Sequence, residues 1–203
     1  MAKVIVDLTM SLDGFIAGPK DDEKQPLGLR GGDHLQDWYF NGKTPNKYND
    51  FFSPDGKNRE VLDEIFETTG AFICGRRTYD FTHGFNGTHP INGVPVFVLT
   101  HQPPETIPKG KSSFIFITDG IENAVKQAKI VADKKNVLIG GGASPAQQAI
   151  KARLVDEIFV HIAPMLLGDG VKLFDHLGDK QMKLENSQVI EGQDATHLRF
   201  KVI

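Results

Sequence analysis

The feature that most constrains the fold of this chain is a strand, turn, helix and strand pattern within residues 136–174. The apolar run Val137–Ile139 predicts a buried strand, the residues from Ser144 to about Arg153 predict a helix, and Glu157–Ala163 predicts a second strand. Helices alternate with buried strands along most of the chain, and two antiparallel strands end it. We therefore expect a three-layer α/β/α fold with a mostly parallel central sheet that is closed by a C-terminal hairpin.

The start of the helix at Ser144 carries several N-terminal signals. Ser144 suits the N-cap, Pro145 suits the first helical position, and Gln147 would complete a capping box. The three glycines at 140–142 precede it, and a turn without side chains leaves backbone N–H groups open to an anion such as phosphate. The motif is neither a dinucleotide fingerprint, whose third glycine would fall on Pro145, nor a P-loop. From these residues alone, a tight strand-to-helix connection and a phosphate site both remain open.

Three further segments precede this pattern in the chain. They are the turn Ser11-Leu12-Asp13-Gly14, the basic segment Gly75-Arg76-Arg77-Thr78-Tyr79, and the strand end Val98-Leu99-Thr100. Together with residues 139–174 they span nearly the whole chain. The set resembles the dihydrofolate reductase-like superfamily, and specifically the branch similar to the C-terminal reductase domain of bifunctional riboflavin-biosynthesis enzymes.

This resemblance implies a dihydrofolate reductase-like fold, NADPH as the cofactor, and a set of residues that bind it. In the family the basic segment grips the 2′-phosphate and diphosphate, and a guanidinium fork suits a phosphate group. Without the resemblance, two adjacent arginines are more typical of surface charge. The residues that the resemblance assigns to the cofactor are Gly75, Arg76, Arg77, Thr78, Leu99, Thr100, His101, Thr118, Gly140, Gly141, Gly142 and Ala143.

Candidates for catalysis are fewer. In the family the 11–14 loop lies over the nicotinamide and the substrate, which makes Asp13 one candidate. Dihydrofolate reductases carry an acid on the helix after this loop, and Asp37 stands in roughly that region. For Asp13 a local turn is compatible with a place in an active-site loop, and for Asp37 a solvated helix face is the favoured interpretation. Asp7 interrupts the alternating strand Val4–Met10, and we expect it to face solvent or to cap a strand end, with a cleft position as the alternative.

The remaining patterns predict the other helices and strands. Asp33 would cap a short helix, Asn58–Thr69 would form an amphipathic helix ended by Gly70, and a capping box of Asp119 with Glu122 would start another helix. The other predicted strands are Ala71–Cys74, Val94–Thr100, Phe114–Ile117 and a hairpin of 183–190 with 196–203, whose residues Leu198, Phe200 and Val202 would point inward.

Length and charge limit the class of protein. The 203 residues predict one domain, 1–203, with a long loop region at 19–57 that contains one short helix. A net charge of −3 without a basic block argues against nucleic acid or an anionic membrane as the partner and favours a small ligand, which the resemblance implies is a heterocycle. No leader or membrane-spanning run is apparent, so we expect a cytoplasmic protein. The resemblance implies a homodimer.

Cysteine and histidine patterns exclude other chemistry. The single cysteine, Cys74, cannot form an internal disulfide and is expected to be a small buried hydrophobe. The histidines lack the spacing of a metal site, so no metal is expected.

The leading expectation is an NADPH-dependent reductase of a small heterocycle or sugar-linked pyrimidine, similar to 5-amino-6-(5-phosphoribosylamino)uracil reductase of riboflavin biosynthesis. Dihydrofolate reductase activity and a non-catalytic NADP-binding module are the alternatives.

Overall fold

The computed structural model describes residues 2–178 and 181–203. Its strands are β1 (Val4–Ser11), β2 (Phe15–Ala17), β3 (Thr69–Gly75), β4 (Val96–Leu99), β5 (Phe114–Ile117), β6 (Asn136–Ile139), β7 (Glu157–Ala163), β8 (Val171–Lys172), β9 (Leu184–Glu191) and β10 (Thr196–Val202). Its α-helices are α1 (Gly56–Thr68), α2 (Arg76–Phe81), α3 (Ile121–Ala132) and α4 (Ala143–Lys151), and 3₁₀ helices cover Gly32–Tyr39 and Gly84–Gly87.

Eight of the strands form one sheet in the order β5-β4-β3-β6-β1-β7-β10-β9. β10 is antiparallel to both β7 and β9, and the other neighbouring pairs are parallel. The predicted architecture, a mostly parallel sheet closed by a C-terminal hairpin, is confirmed. β2 and β8 form a separate antiparallel pair that the sequence patterns did not predict.

Helices cover both faces of the sheet. On one face the small side chains of α3 and α4, such as Ala124 and Ala146, pack against the apolar residues of the central strands. On the other face α1 and the 3₁₀ helix Gly32–Tyr39 bury Phe66 and Trp38, both fully enclosed. The three predicted layers are therefore present, and both helical layers are built on close-packed apolar contacts.

Two predicted helix ends are wrong. The 3₁₀ helix Gly32–Tyr39 begins after Gly31, whose φ of 81° is left-handed, and Asp33 does not cap it. Gly70 does not stop α1, because the helix ends at Thr68 and the chain enters β3 directly, with Gly70 inside that strand. At the end of α1 the chain direction is set by β3 rather than by the local stop signal.

In the C-terminal hairpin, β9 is mostly exposed, whereas β10 has buried or partly buried residues on both of its faces. Leu198, Phe200 and Val202 pack against the core as predicted, and they are partly buried. The opposite face of β10 carries His197, which is fully buried, and Arg199, whose side chain is 17% exposed.

Cys74 is fully buried, as predicted, and burial raises the pKa of its thiol. Within the described ranges, no helix is long and apolar enough to span a bilayer.

Candidate active site

A cleft of about 1330 Å³ opens where the parallel strands end. β1, β3, β4, β5 and β6 all contribute residues from their carboxyl ends, which is where open α/β sheets bind ligands. The structure therefore brings together four separate segments of the chain, 75–78, 99–101, 118 and 140–143, whereas the turn at 11–14 is not part of the lining. All the residues that the sequence assigns to a cofactor line the cleft: Gly75, Arg76, Arg77, Thr78, Leu99, Thr100, His101, Thr118, Gly140, Gly141, Gly142 and Ala143.

Three helices begin at this cleft, each with a glycine at its N-cap. The glycines are Gly75 before α2, Gly120 before α3 and Gly142 before α4, and no side chain caps any of these helices. By contrast α1 begins away from the cleft, and its N-cap Asp55 accepts a hydrogen bond from the Gly56 N–H at 2.8 Å. The open N–H groups of α3 and α4 thus face the cleft at the positive end of the helix dipole. This arrangement suits a ligand with several phosphate groups.

Both predicted capping boxes at the cleft are wrong. Ser144 and Asp119 lie beside the helix starts, but neither occupies the N-cap position. The Gln147 side chain instead donates to the Lys172 carbonyl at 3.0 Å, and the Asp119 carboxylate accepts from the Asn123 amide at 2.7 Å. The Gln147 and Asp119 side chains, which could have taken part in capping these helices, therefore form hydrogen bonds with other groups.

The glycine turn is also tightly packed. Gly141 has a φ of 65°, and a Cβ at this position would lie 2.6 Å from the Thr78 Cγ2 atom. A Cβ on Gly140 would lie 2.8 Å from the Phe72 ring. The glycines are thus required for close packing as well as for the open wall of the cleft.

The two adjacent arginines point in different directions. The Arg76 Nε atom donates to Asp80 at 2.8 Å, and its Nη1 atom donates to the Gln102 carbonyl, so this guanidinium lies beside the loop that follows β4. The Arg77 Nε atom donates to the Asp21 carboxylate at 2.8 Å, and its side chain is 62% exposed. Both cations line the cleft, but Arg76 is the one next to the Thr100–Gln102 segment.

The two carboxylates suggested for catalysis lie outside the cleft lining. Asp13 accepts hydrogen bonds from the Ser11 hydroxyl and from the backbone N–H groups of 167–168, and the Ser11 bond is the largest cause that holds its pKa below the ordinary value. Asp37 is exposed and pairs with His34 at 3.1 Å. Asp13 therefore joins two loops as a carboxylate, and Asp37 belongs to the solvated surface.

The other half of the cleft is apolar and aromatic. The lining side chains of α1 are Leu62, Ile65 and Phe66, so the first α-helix after the loop region offers the cleft no carboxylate. Tyr39 and Phe72 contribute aromatic rings from the 3₁₀ helix and β3. Pockets of this composition accommodate a flat, mostly uncharged ring.

The carboxylate that does line this half belongs to Asp7. It is 8% exposed, and its Oδ1 atom lies 3.3 Å from the His161 Nε2 atom. Its Oδ2 atom has no hydrogen-bond partner within the described residues. The expectation that Asp7 faces solvent is wrong, and the alternative of a cleft position is correct. A buried carboxylate oxygen without a partner is costly unless it serves a function.

Asp7 is the end of a buried chain of polar side chains. The His161 and His197 Nδ1 atoms lie 2.6 Å apart, and the His197 Nε2 atom lies 2.9 Å from the Asn58 Oδ1 atom. Both histidines and Asn58 are fully buried, and the Trp38 ring packs on the two imidazoles at 4.7 and 4.9 Å between centroids. Sequence reasoning missed this chain. The available signal was a polar residue within the mostly apolar strands β1 and β7, whereas β10 alternates polar and apolar residues and gave no such signal for His197.

A third buried histidine, His89, lines the cleft and gives a prediction about pH. His89 is 5% exposed and packs on Phe72 at 4.1 Å, and burial lowers its pKa to about 3 from an ordinary value of 6.5. The unfolded chain takes up this proton first, so the free energy of unfolding should fall as the pH drops from 6.5 toward 3, by up to about 1.4 kcal/mol per pH unit. In urea unfolding at several pH values, His89→Gln should show a shallower decline than the wild type, and an unchanged slope would contradict the prediction.

Comparison with solved structures defines the class of fold. Dihydrofolate reductase from Enterococcus faecalis, solved as a complex with NADP(H), superposes with a TM-score of 0.55 at 12% identity over 98% of this chain and 96% of that one. A protein provisionally assigned to riboflavin biosynthesis from Shewanella sp. PV-4 gives a TM-score of 0.70 at 23% identity, with 100% and 99% of the two chains covered. The fold is thus the dihydrofolate reductase-like fold.

The family follows from the sequence itself. The model of the RibD C-terminal domain matches residues 2–196, and the chain belongs to that family. Among curated relatives, the uncharacterized protein YwjB of Bacillus subtilis (strain 168) is 25% identical over 190 residues, which cover 92% of this chain and 91% of the relative. The resemblance read from the sequence motifs is therefore confirmed.

Proposed function

We propose that this protein is an NADPH-dependent reductase that transfers a hydride to a C=N or C=O bond of a pyrimidine-type heterocycle. The observation that carries the proposal is the division of the cleft. One half has arginines and uncapped helix N-termini, and the other half is aromatic and contains a buried carboxylate. A dinucleotide and a flat ring would meet where these halves join.

The residues present fit the cofactor. The N–H groups that follow Gly120 and Gly142 would face the phosphates, and the glycine turn leaves no side chain between them and the ligand. Arg76, beside Thr100–Gln102, would contact the 2′-phosphate. When bound, the nicotinamide would supply the hydride, and the protein would align and polarise the acceptor.

The aromatic half of the cleft fits the pyrimidine ring of a substrate like those reduced in riboflavin biosynthesis. Tyr39, Phe66 and Phe72 offer apolar and aromatic surface, while Asp7 offers one carboxyl group to ring N–H or N atoms. Lys172 also lines the cleft, is exposed, and suits the phosphate of a sugar-linked pyrimidine such as 5-amino-6-(5-phosphoribosylamino)uracil. Dihydrofolate is a less favoured substrate, because the chain belongs to the RibD C-terminal domain family.

The proposal is tested by mixing the protein with NADPH and candidate acceptors while the absorbance of NADPH is followed. We expect oxidation with a ribosylamino-pyrimidine and little with dihydrofolate. Tight NADPH binding without oxidation by any acceptor would instead favour a non-catalytic binding module. Absence of NADPH binding would contradict the proposal altogether.

Cofactor preference is expected to depend on Arg76. Arg76→Ala should weaken NADPH binding by about 1.5–3 kcal/mol and barely change NADH binding, because it removes a charge-assisted hydrogen bond to the 2′-phosphate. Arg77→Ala should have a smaller effect, since the Arg77 side chain is 62% exposed, against 36% for Arg76, and pairs with Asp21 rather than lying beside Thr100–Gln102. Arg30→Ala is the control, because Arg30 is not among the residues that line the cleft. Equal losses for the two cofactors in parallel titrations would disprove the assignment.

A further inference from the structure

The buried chain that ends at Asp7 has a defined hydrogen-bond direction, beginning with Asn58. The Asn58 Nδ2 atom donates to the Gln193 and Trp38 carbonyls at 2.7 and 3.4 Å. Two carbonyl acceptors fix the orientation of the amide, so its Oδ1 atom faces His197 and accepts a hydrogen bond from it. The proton of neutral His197 therefore lies on Nε2.

The proton on the next ring is fixed in the same way. Burial, together with the neighbouring His161 ring, lowers the pKa of His197 to about 3, so His197 is neutral near pH 7. With its proton on Nε2, its Nδ1 atom has a lone pair and accepts. The His161 Nδ1 atom, 2.6 Å away, must therefore carry a proton.

One further proton belongs to the contact between His161 and Asp7. If His161 is neutral, its Nε2 atom is an acceptor, and the Asp7 carboxyl group must be protonated to form the 3.3 Å contact. If Nε2 carries a proton, His161 is cationic and Asp7 is a carboxylate. In either form, the pair holds one transferable proton beside the cleft.

The other described groups beside Asp7 do not take up this proton. Tyr39 faces the same carboxyl group, and burial and then the Asp7 charge raise its pKa, so the phenol stays protonated. The nearby lining residues of α1 and β6 include Leu62, Phe66 and Leu138 and carry no charge. The buried Asp7 Oδ2 atom has no hydrogen-bond partner among the described residues, and Asp7 is one of the residues that line the cleft.

We propose that Asp7 is the catalytic acid of this cleft and that His161 and His197 position it and hold its proton. The inference rests on the proposed reductase function. As a C–H bond forms from the hydride at the carbon of the substrate's C=N bond, the π electron pair moves to nitrogen and takes the proton from Asp7. The substrate is reduced, the nicotinamide is oxidised, and Asp7 is left as a carboxylate that regains a proton from solvent after product release.

The first test compares Asp7→Asn with Asp37→Asn, an exposed carboxylate outside the cleft lining. In single-turnover reactions, Asp7→Asn should slow reduction by about 100-fold or more and remove the loss of rate at high pH. NADPH affinity should be unchanged, and Asp37→Asn should match the wild type. His161→Gln should shift the high-pH loss of rate to lower pH, because the carboxyl group loses its proton-sharing partner.

The second test uses the wild-type protein without cofactor. In ¹⁵N NMR of the imidazoles, His197 should be neutral with its proton on Nε2, and His161 should keep a proton on Nδ1 between about pH 6 and 8. In Asp7→Asn, the side-chain amide can donate to Nε2, so His161 should remain neutral. An unprotonated His161 Nδ1 atom in the wild type would overturn the proton assignment, whether or not a substrate is known.

The outcomes separate the two proposals. If the wild type reduces an acceptor and Asp7→Asn does so with the same rate and pH profile, the role of Asp7 is overturned and the reductase function stays in place. No reduction of any acceptor by the wild type overturns both.

Discussion

Trp38→Ala should lower the free energy of unfolding by about 3–5 kcal/mol, as expected when a fully buried tryptophan is truncated in a core. Trp38 has no exposed surface, packs on His161 and His197, and donates its indole N–H to the Thr9 hydroxyl at 3.0 Å. The cavity would lie directly against the polar chain that ends at Asp7. Urea or guanidinium unfolding, read by fluorescence and circular dichroism, measures the loss.

Trp38→Phe is the matched control. It keeps an aromatic ring but removes the indole N–H, so it should cost less than the alanine variant. A loss in Trp38→Ala no larger than that in Trp38→Phe would show that ring packing on the histidines contributes little. The account of the site would then lose its structural support for the polar chain.

Gly141→Val should destabilise the protein without cofactor by about 2–5 kcal/mol, by combining a left-handed backbone with overpacking. Gly141 has a φ of 65°, and a Cβ there would lie 2.6 Å from the Thr78 Cγ2 atom. The effect on cofactor binding should be measured at a temperature at which the variant is still folded. Thermal and urea unfolding of the wild type and of Gly141→Val measure the difference in the free energy of unfolding.

Gly168→Val separates the two causes. Gly168 has a φ of 74°, close to that of Gly141, but a Cβ there has nothing within 4 Å. Gly168→Val therefore includes the backbone cost without the crowding, and should destabilise less than Gly141→Val. Equal losses would mean that the glycine turn is not tightly packed against Thr78.

The fold was largely predictable because its strands are buried and regular. β5 and β7 have the predicted bounds, and the strands predicted at β1, β3, β4 and β6 differ by a few residues at their ends. Apolar runs in a parallel sheet are covered on both faces, so the hydrophobic pattern carries most of the information. The pair β2 and β8 is short, and its partners are far apart in the chain, so no local pattern marks it.

The helix starts at the cleft were not predictable from capping rules. Ser144 with Gln147, and Asp119 with Glu122, form good capping boxes in sequence, yet Gly142 and Gly120 take the N-cap positions. A capping rule assumes that the first turn must satisfy its own N–H groups. At these two helices the open groups face a cleft, and local rules are expected to fail at such sites.

Asp7 was misplaced for a related reason. A single carboxylate in a strand is usually exposed, and its partner His161 is 154 residues away in the chain. The registers of β1, β7 and β10 bring the residues together, with His161 directly opposite His197. The residues predicted to bind the cofactor, by contrast, lie in contiguous motifs, and all of them line the cleft.

The central claim is that the N-termini of α3 and α4 and the Arg76 segment hold a phosphate-bearing cofactor. The most direct measurement is an NMR titration of the ¹⁵N-labelled protein with NADPH. We predict saturable binding with a Kd below about 1 mM, the upper end of common KM values, and amide shifts concentrated after Gly75, Gly120 and Gly142. Shifts confined to other surfaces, or no shifts at millimolar NADPH, would contradict the account.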